Sequence, residues 1–276
     1  MKITQLRNAT LIVEFGEVRL LVDPMLAAQG QLPALKYLAR RRRNPLVELP
    51  DNASEHLPHV THCLITHCQK GHFDHLDRTA IRWLRERNIP VLCMAEDADY
   101  LRKRRLNVQE LPRQAGGAFF NGIIQAIPCL HGEGFIGSLM AHGYGYFIQI
   151  PQEPSLYIAG DTLLTADVRH CLTQLAPAVS VLPAGGARFD LGGDIIMGQA
   201  EILAALQLSN GIIVANHLEA LDHCPVTRAG LLQEAARRGI GERLRVPLDG
   251  ETLVARGLTS GQRVVTQGAT LLNQIR

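Results

Sequence analysis

The stretch from Thr61 to Asp77 constrains this chain more than any other. Cys63-Leu64-Ile65-Thr66 is a short apolar run with β-branched members and reads as a buried strand. The run stops at His67, and His72, Asp74 and His75 follow. Beyond Leu76-Asp77, the spacing of Ile81, Trp83 and Leu84 predicts an amphipathic helix. Four potential ligands therefore lie on a strand-to-helix loop, where α/β folds usually build their sites. Imidazole and carboxylate together suit zinc, iron or manganese. His72, Asp74 and His75 are too close in sequence to share one helical face, but neighbours on a loop can point to two adjacent centres.

Other sequence signals are local. Leu11–Phe15 and Val18–Val22 flank Gly16-Glu17 as a β-hairpin, so residues 1–23 read as two or three antiparallel strands. Residues 78–110 read as helix, strand, helix, strand. Asn121-Gly122 predicts a hairpin turn between Ala118-Phe119-Phe120 and Ile123–Ile127. Apolar strands are expected at Tyr144–Ile148, Ser155–Ala159, Val179–Leu182 and Gly211–Ala215. Helices are expected after Ile195 and near Ala229–Arg238, and short strands at Leu244–Val246 and Thr252–Val254. Leu32, Leu35 and Leu38 hint at a short helix, and Arg40–Arg43 form a basic run after it. No Gly-x-Ser-x-Gly elbow offers a side-chain nucleophile.

The 61–77 stretch resembles the metallo-β-lactamase superfamily, whose motif is His-x-His-x-Asp-His after a strand. His72-x-Asp74-His75 matches its last three positions. The first falls on Lys70, and the nearest imidazole, His67, stands three residues early. Cys68-Gln69-Lys70-Gly71 then acts as an insertion that Gly71 lets bulge. Further matches follow in the family's order. Asn8-Ala9-Thr10 stands where His-Ala-Thr is usual, and Asp23-Pro24 closes a strand, with Asp23 able to support the site from behind. His131 ends a strand before Gly132, with His142 as its rival. Gly160-Asp161-Thr162 is unaltered, and Asn216-His217 supplies a last strand-end histidine, with His223 as its rival.

The resemblance implies an α/β four-layer αββα sandwich, two mixed β-sheets with helices outside. It implies that His67, His72 and His131 hold one metal, that Asp74, His75 and His217 hold a second, and that Asp161 bridges them. Two divalent ions, zinc foremost and manganese or iron next, would then share a hydroxide that attacks an ester, lactone or phosphodiester. Asp74 would orient it or pass a proton. The chain looks closest to the branch of L-ascorbate-6-phosphate lactonase and the phospholipase-D-like hydrolases, on Asn8-Ala9-Thr10, Asp23-Pro24 and His75-Leu76-Asp77. The displaced first histidine motivates an alternative, a non-catalytic member that binds a ligand or effector. A nuclease is the third reading.

Composition bounds these readings. The 276 residues, 46% apolar, suit one domain over 1–276, with residues 25–58 as a candidate lid, insertion or oligomer contact. A net charge of +2 and few aromatics give no case for nucleic acid. No apolar run reaches membrane length, the start lacks a signal-peptide core, and six scattered cysteines read as reduced thiols, so a cytoplasmic location is expected. Cys68 reads first as a small loop residue, with metal ligand or sensor thiol as alternatives. The expected partner is a small molecule, anionic if Arg40–Arg43 clamp it. Otherwise that run is a solvated helix end.

Overall fold

A computed structural model describes residues 1–38, 41–69, 71–134, 137, 140, 142–255 and 265–267. The chain opens with β1 (Lys2–Arg7), β2 (Thr10–Phe15) and β3 (Val18–Val22), then a short helix α1 (Ala53–His56) and β4 (His62–Leu64). An α/β unit follows: α2 (Arg78–Glu86), β5 (Pro90–Cys93), α3 (Ala95–Arg102) and β6 (Asn107–Glu110). Next come β7 (Gly117–Phe119), β8 (Gly122–Pro128), β9 (Tyr144–Gln149), β10 (Leu156–Ile158), α4 (Ala166–His170) and β11 (Val179–Pro183). The last described elements are α5 (Gln199–Leu208), β12 (Ile212–Asn216), α6 (Arg228–Arg237), β13 (Leu244–Arg245), β14 (Thr252–Val254) and β15 (Val265–Gln267).

Side chains alternate across a strand, and in the inner strands both faces are apolar. In β2 and β3, Leu11, Val13, Phe15, Leu20 and Val22 enter one core, while Ile12 and Leu21 enter another. In β10 to β12, Leu156, Ile158, Val179, Val181 and Val214 enter the first core, and Tyr157, Leu182, Ile213 and Ala215 enter a third. A sheet apolar on both faces must be covered on both. The shared core therefore lies between two sheets, ordered β15-β14-β1-β2-β3-β4-β5-β6 and β13-β12-β11-β10-β9-β8-β7. Outside the first, α2 and α3 supply Ala80, Leu84, Ala98 and Leu101. Outside the second, α4 to α6 supply Val168, Ile202, Leu206, Leu231 and Ala235. This is the expected αββα sandwich of two mixed sheets.

Topology places the site. Strand β10 pairs parallel with β11, and β11 with β12; β9 pairs antiparallel with both β8 and β10. Strands β8, β10 and β12 therefore run the same way and end at one edge. Tyr146 on β9 donates its hydroxyl to Ile65 O at 3.0 Å, tying the end of β4 to the opposite sheet just below that edge.

Three local expectations differ from what forms. No helix covers Leu32–Leu38: Pro33 has no amide hydrogen to offer a helix. The amides of Leu35 and Lys36 donate to Asp222, and those of Tyr37 and Leu38 to Asp190. Arg40 lies outside the described residues, and Arg43 donates to Gly30 O and Gln31 O, so it is bound to backbone rather than presented as a clamp. The hairpin pairs Phe119 with Gly122, so its turn is Phe120-Asn121, with Phe120 at φ 52°. Gly122 serves close approach instead, since a Cβ there would lie 2.0 Å from Gln149 O. The segment after β3 is held down by Arg7, a buried guanidinium donating to Met25 O, Ala27 O and Val47 O.

Candidate metal centre

Four of the seven predicted ligands stand just beyond a strand end, and His72, Asp74 and His75 lie on the loop between β4 and α2. His67 follows β4, His131 follows β8, Asp161 follows β10 and His217 follows β12. Gly160 (φ 65°) turns the chain where a Cβ would press on Thr66 Cβ at 3.0 Å and Tyr144 O at 3.2 Å, which brings Asp161 under the metal loop. His217 itself adopts φ 57°, anchored through its amide to Asn8 O at 3.0 Å.

All seven predicted ligands converge, in two groups. In each, the potential ligand atoms lie within 4.8 Å of one another: His67, His72 and His131 form one, and Asp74, His75, Asp161 and His217 the other. Asp161 Oδ2 faces both, at 3.1 Å from His75 Nε2, 3.4 Å from His217 Nε2 and 3.7 Å from His131 Nε2. Asp74 Oδ2 is 3.5 Å from His75 Nε2 and 3.4 Å from His217 Nε2.

The shifted spacing before His72 is absorbed by the loop. Gly71 adopts φ 89°, the Cys68 thiol donates to Asp97 Oδ1 at 3.4 Å, and Gln69 Nε2 donates to Asp97 Oδ1 at 3.0 Å and Glu96 O at 2.6 Å. The insertion is thereby tied to α3, and the His67 and His72 rings meet with centroids 4.4 Å apart. Cys68 is turned away from the ligands, and burial pushes its thiol far up, which makes it inert. His142 lies beside Asp97 (3.2 Å) and His223 stacks on Phe189; neither belongs to a ligand group.

Polar groups behind the ligands fix their orientation. Asp23 Oδ2 pairs with His75 Nδ1 at 2.9 Å and accepts the Thr66 hydroxyl at 2.6 Å, and Thr66 Oγ1 lies 3.1 Å from His67 Nδ1. His131 Nδ1 lies 2.8 Å from Ile195 O, and His217 Nδ1 lies 3.5 Å from Cys224 Sγ. His72 Nδ1 is held by Gln69 O. Asn8 Nδ2 sits 3.3 Å from His217 Nε2. Asp23 thus takes the supporting place expected of it, whereas Asn8 meets the ligand-side nitrogen of His217. Thr66, Cys224 and the Ile195 carbonyl were missed, because serving as a partner to a ring nitrogen leaves no mark in sequence.

The two groups differ electrically. Burial pushes His67 well down, helped by the neighbouring imidazoles of His75 and His72, and burial pushes His131 down to about 4. Burial also opposes protons on His75 and His217, but carboxylates outweigh it. Asp161, Asp74 and Asp23 hold His75 well above its ordinary value, and Asp161 with Cys224 does the same for His217. Asp74 and Asp161 fall below the usual carboxylate range, since the imidazoles outweigh their burial. Burial pushes Asp23 up, against its bonds to His75 and Thr66.

The donor set fits metal. His67 Nε2, His75 Nε2 and Asp161 Oδ1 are buried without a hydrogen-bond partner among the described residues. Buried polar atoms are rarely left so, and three converging orphans mark a place for cations.

A cavity of about 90 Å³ opens over Asp74, His131 and Asp161, walled by Leu35, Met140, Phe189 and Ile195. A larger cleft of about 590 Å³ runs along the outer side of the metal loop; it meets the site only at Gly71 and His72 and carries Arg78 and Arg104.

A family model described as a beta-lactamase superfamily domain matches residues 18–217. The UPF0173 protein YddR of Bacillus subtilis is 30% identical over 258 residues, covering 91% of this chain and 99% of its own length. A UPF0173 metal-dependent hydrolase of Alkaliphilus metalliredigens is 29% identical over 189 residues, 67% of this chain and 74% of that one. Among solved structures, the isothiocyanate hydrolase from Delia radicum gut bacteria superposes with a TM-score of 0.83 at 32% identity, over 93% of this chain and 100% of that chain. A possible metal-dependent hydrolase from Veillonella parvula gives 0.82 at 25% identity, over 91% and 98%.

Proposed function

This chain belongs to the beta-lactamase superfamily domain family and is a metal-dependent hydrolase, and we propose that it hydrolyses a small uncharged electrophile of the isothiocyanate type. The observation that carries this reading is the cavity over the ligands. At about 90 Å³ it lies far below the roughly 300–1,000 Å³ of ordinary ligand pockets, so it takes only the reacting group. Its described lining holds no lysine or arginine; its basic groups are the ligand imidazoles and His223. A linear N=C=S group suits such a bore better than a tetrahedral phosphodiester does. The isothiocyanate hydrolase that is 32% identical supports the same choice.

In this reading, His67, His72 and His131 would hold one divalent cation and Asp74, His75 and His217 the other, with Asp161 available to both. Zinc is the first choice and manganese or iron the next, since the donors are imidazole and carboxylate without thiolate. When bound, the cations supply Lewis acidity and a water of lowered pKa. Asp23 and Thr66 keep the His75 and His67 rings turned inward, and Ile195 O does so for His131. The ionised Asp74 carboxylate would orient the attacking water or pass its proton to the leaving nitrogen. In the net reaction, the water oxygen joins the central carbon, the carbon–nitrogen bond breaks, and nitrogen takes both protons. An amine and carbonyl sulfide result.

The test is turnover by zinc-loaded and manganese-loaded protein of 2-phenylethyl isothiocyanate beside a lactone, an aryl ester and an aryl phosphodiester. Amine release from the isothiocyanate is expected, reduced by roughly 10²–10⁴-fold in Asp74→Asn. Cleavage of the phosphodiester alone would overturn the reading and direct attention to the Arg78–Arg104 cleft.

A further inference from the structure

Beyond the small cavity, the surface continues as an apolar slot of about 490 Å³. It is lined by Leu35, Tyr37, Leu38, Met140, Phe189 and Leu191, with Asp190 at its edge. Leu35, Met140 and Phe189 wall both spaces, so the slot adjoins the reaction chamber. Three of its side chains are well exposed: Leu38 at 80%, Leu191 at 75% and Tyr37 at 66%. Scattered apolar residues on a surface need no explanation, but a contiguous set at the mouth of a site marks a binding surface.

The backbone of one slot wall is held by hydrogen bonds. Asp190 Oδ2 accepts from the amides of Tyr37 (2.6 Å) and Leu38 (3.1 Å). Asp222 accepts from the amides of Leu35 (3.1 Å) and Lys36 (3.2 Å) and from Asn44 Nδ2 (2.9 Å). Two carboxylates from distant loops thus clasp one wall, holding apolar side chains in water beside the chamber. Such bonding lowers the ordering entropy that the wall's backbone would lose to a ligand.

We infer that the slot formed by Leu35, Tyr37, Leu38, Phe189 and Leu191 seats the apolar substituent of the substrate, an alkyl or arylalkyl chain of several carbons, while the reacting group occupies the chamber. The inference rests on the reading of the chamber as the reaction site. It assigns specificity to the 35–38 segment and makes Asp190 a positioning residue for it.

Binding of an unreactive series tests the slot apart from the chemistry. Calorimetry would follow N-alkylacetamides, from methyl to hexyl, on the zinc-loaded protein. Affinity should rise about threefold to fourfold per methylene, the value of burying each one. In Leu38→Asp and Leu191→Asp, both at exposed positions where folding is not at stake, this increment should vanish while methylacetamide binds unchanged. Asp190→Asn should weaken the long amides more than the short ones. A flat series in the wild type, or the same increment in both variants, would overturn the inference. So would a change of oligomeric mass in the variants with the amide series unaltered, since the patch would then be a contact between copies. An intact increment in a protein that leaves every isothiocyanate uncleaved would sink the proposed reaction and leave the slot standing.

Discussion

The two ligand groups sit side by side and solve opposite electrostatic problems. His67, His72 and His131 have no carboxylate of their own, and burial strips protons from His67 and His131. Their free nitrogens are ready for a cation. Asp74, His75, Asp161 and His217 form the other extreme, in which buried carboxylates hold protons on His75 and His217. Those protons stand where a divalent ion would stand, so loading this group displaces them. Asp161 is the hinge of the comparison, because its Oδ2 reaches imidazoles of both groups.

The largest test removes that hinge. Asp161→Asn should lose both cations and lower turnover by three or more powers of ten, since several kcal/mol of charge stabilisation go with them. Metal content by plasma mass spectrometry reads the first effect; two cations retained would show the groups to be independent of Asp161. The next test separates the groups: His67→Ala should release one cation and keep the other, and His217→Ala should do the reverse. Loss of both from either variant would make the groups one cooperative site.

Asp23→Asn should act on both sides more weakly. Asp23 touches His75 directly and His67 through Thr66, and partners of this kind are worth roughly 10–100-fold in metal affinity. Competition with a chelator would measure both constants; weakening confined to one would break the shared-support view.

The smallest effect is in the metal-free protein. His131, pushed down to about 4, contributes stability that is present above its ordinary 6.5 and lost as pH falls towards about 4. His75 and His217, pushed up, contribute stability present below about 6.5 and lost as pH rises through their folded values. Urea midpoints against pH should fall on both sides. His131→Gln should make the acid limb shallower, with His67 sustaining the rest, and His217→Gln the alkaline one, with His75 sustaining the rest. Limbs left unchanged would reject these assignments.

Much of this site was legible because His67, His131, Asp161 and His217 each follow an apolar run. Ile158-Ala159-Gly160 before Asp161 and Val214-Ala215-Asn216 before His217 are strand ends by pattern alone. His67 was harder to place, since its spacing to His72 does not match the superfamily motif. Its place depends on Cys68 and Gln69 reaching Asp97, a contact across 28 or 29 residues that periodicity does not report. The 32–38 segment misled for a related reason. Its leucine spacing suits a helix, yet its amides find Asp190 and Asp222 more than 150 residues away.

By itself, then, the sequence determined the layers and where the candidate ligands fall along the chain. Period-two alternation on both faces of a strand demands a partner on each side, and strand-end histidines and aspartates are local facts. The tertiary structure decided which of these side chains meet, where each ring's second nitrogen is satisfied, and what lines the chamber. Leu35, Met140, Phe189 and Ile195 are unremarkable residues in unrelated stretches, and only packing brings them over the ligands, because burial and charge act through space and not along the chain.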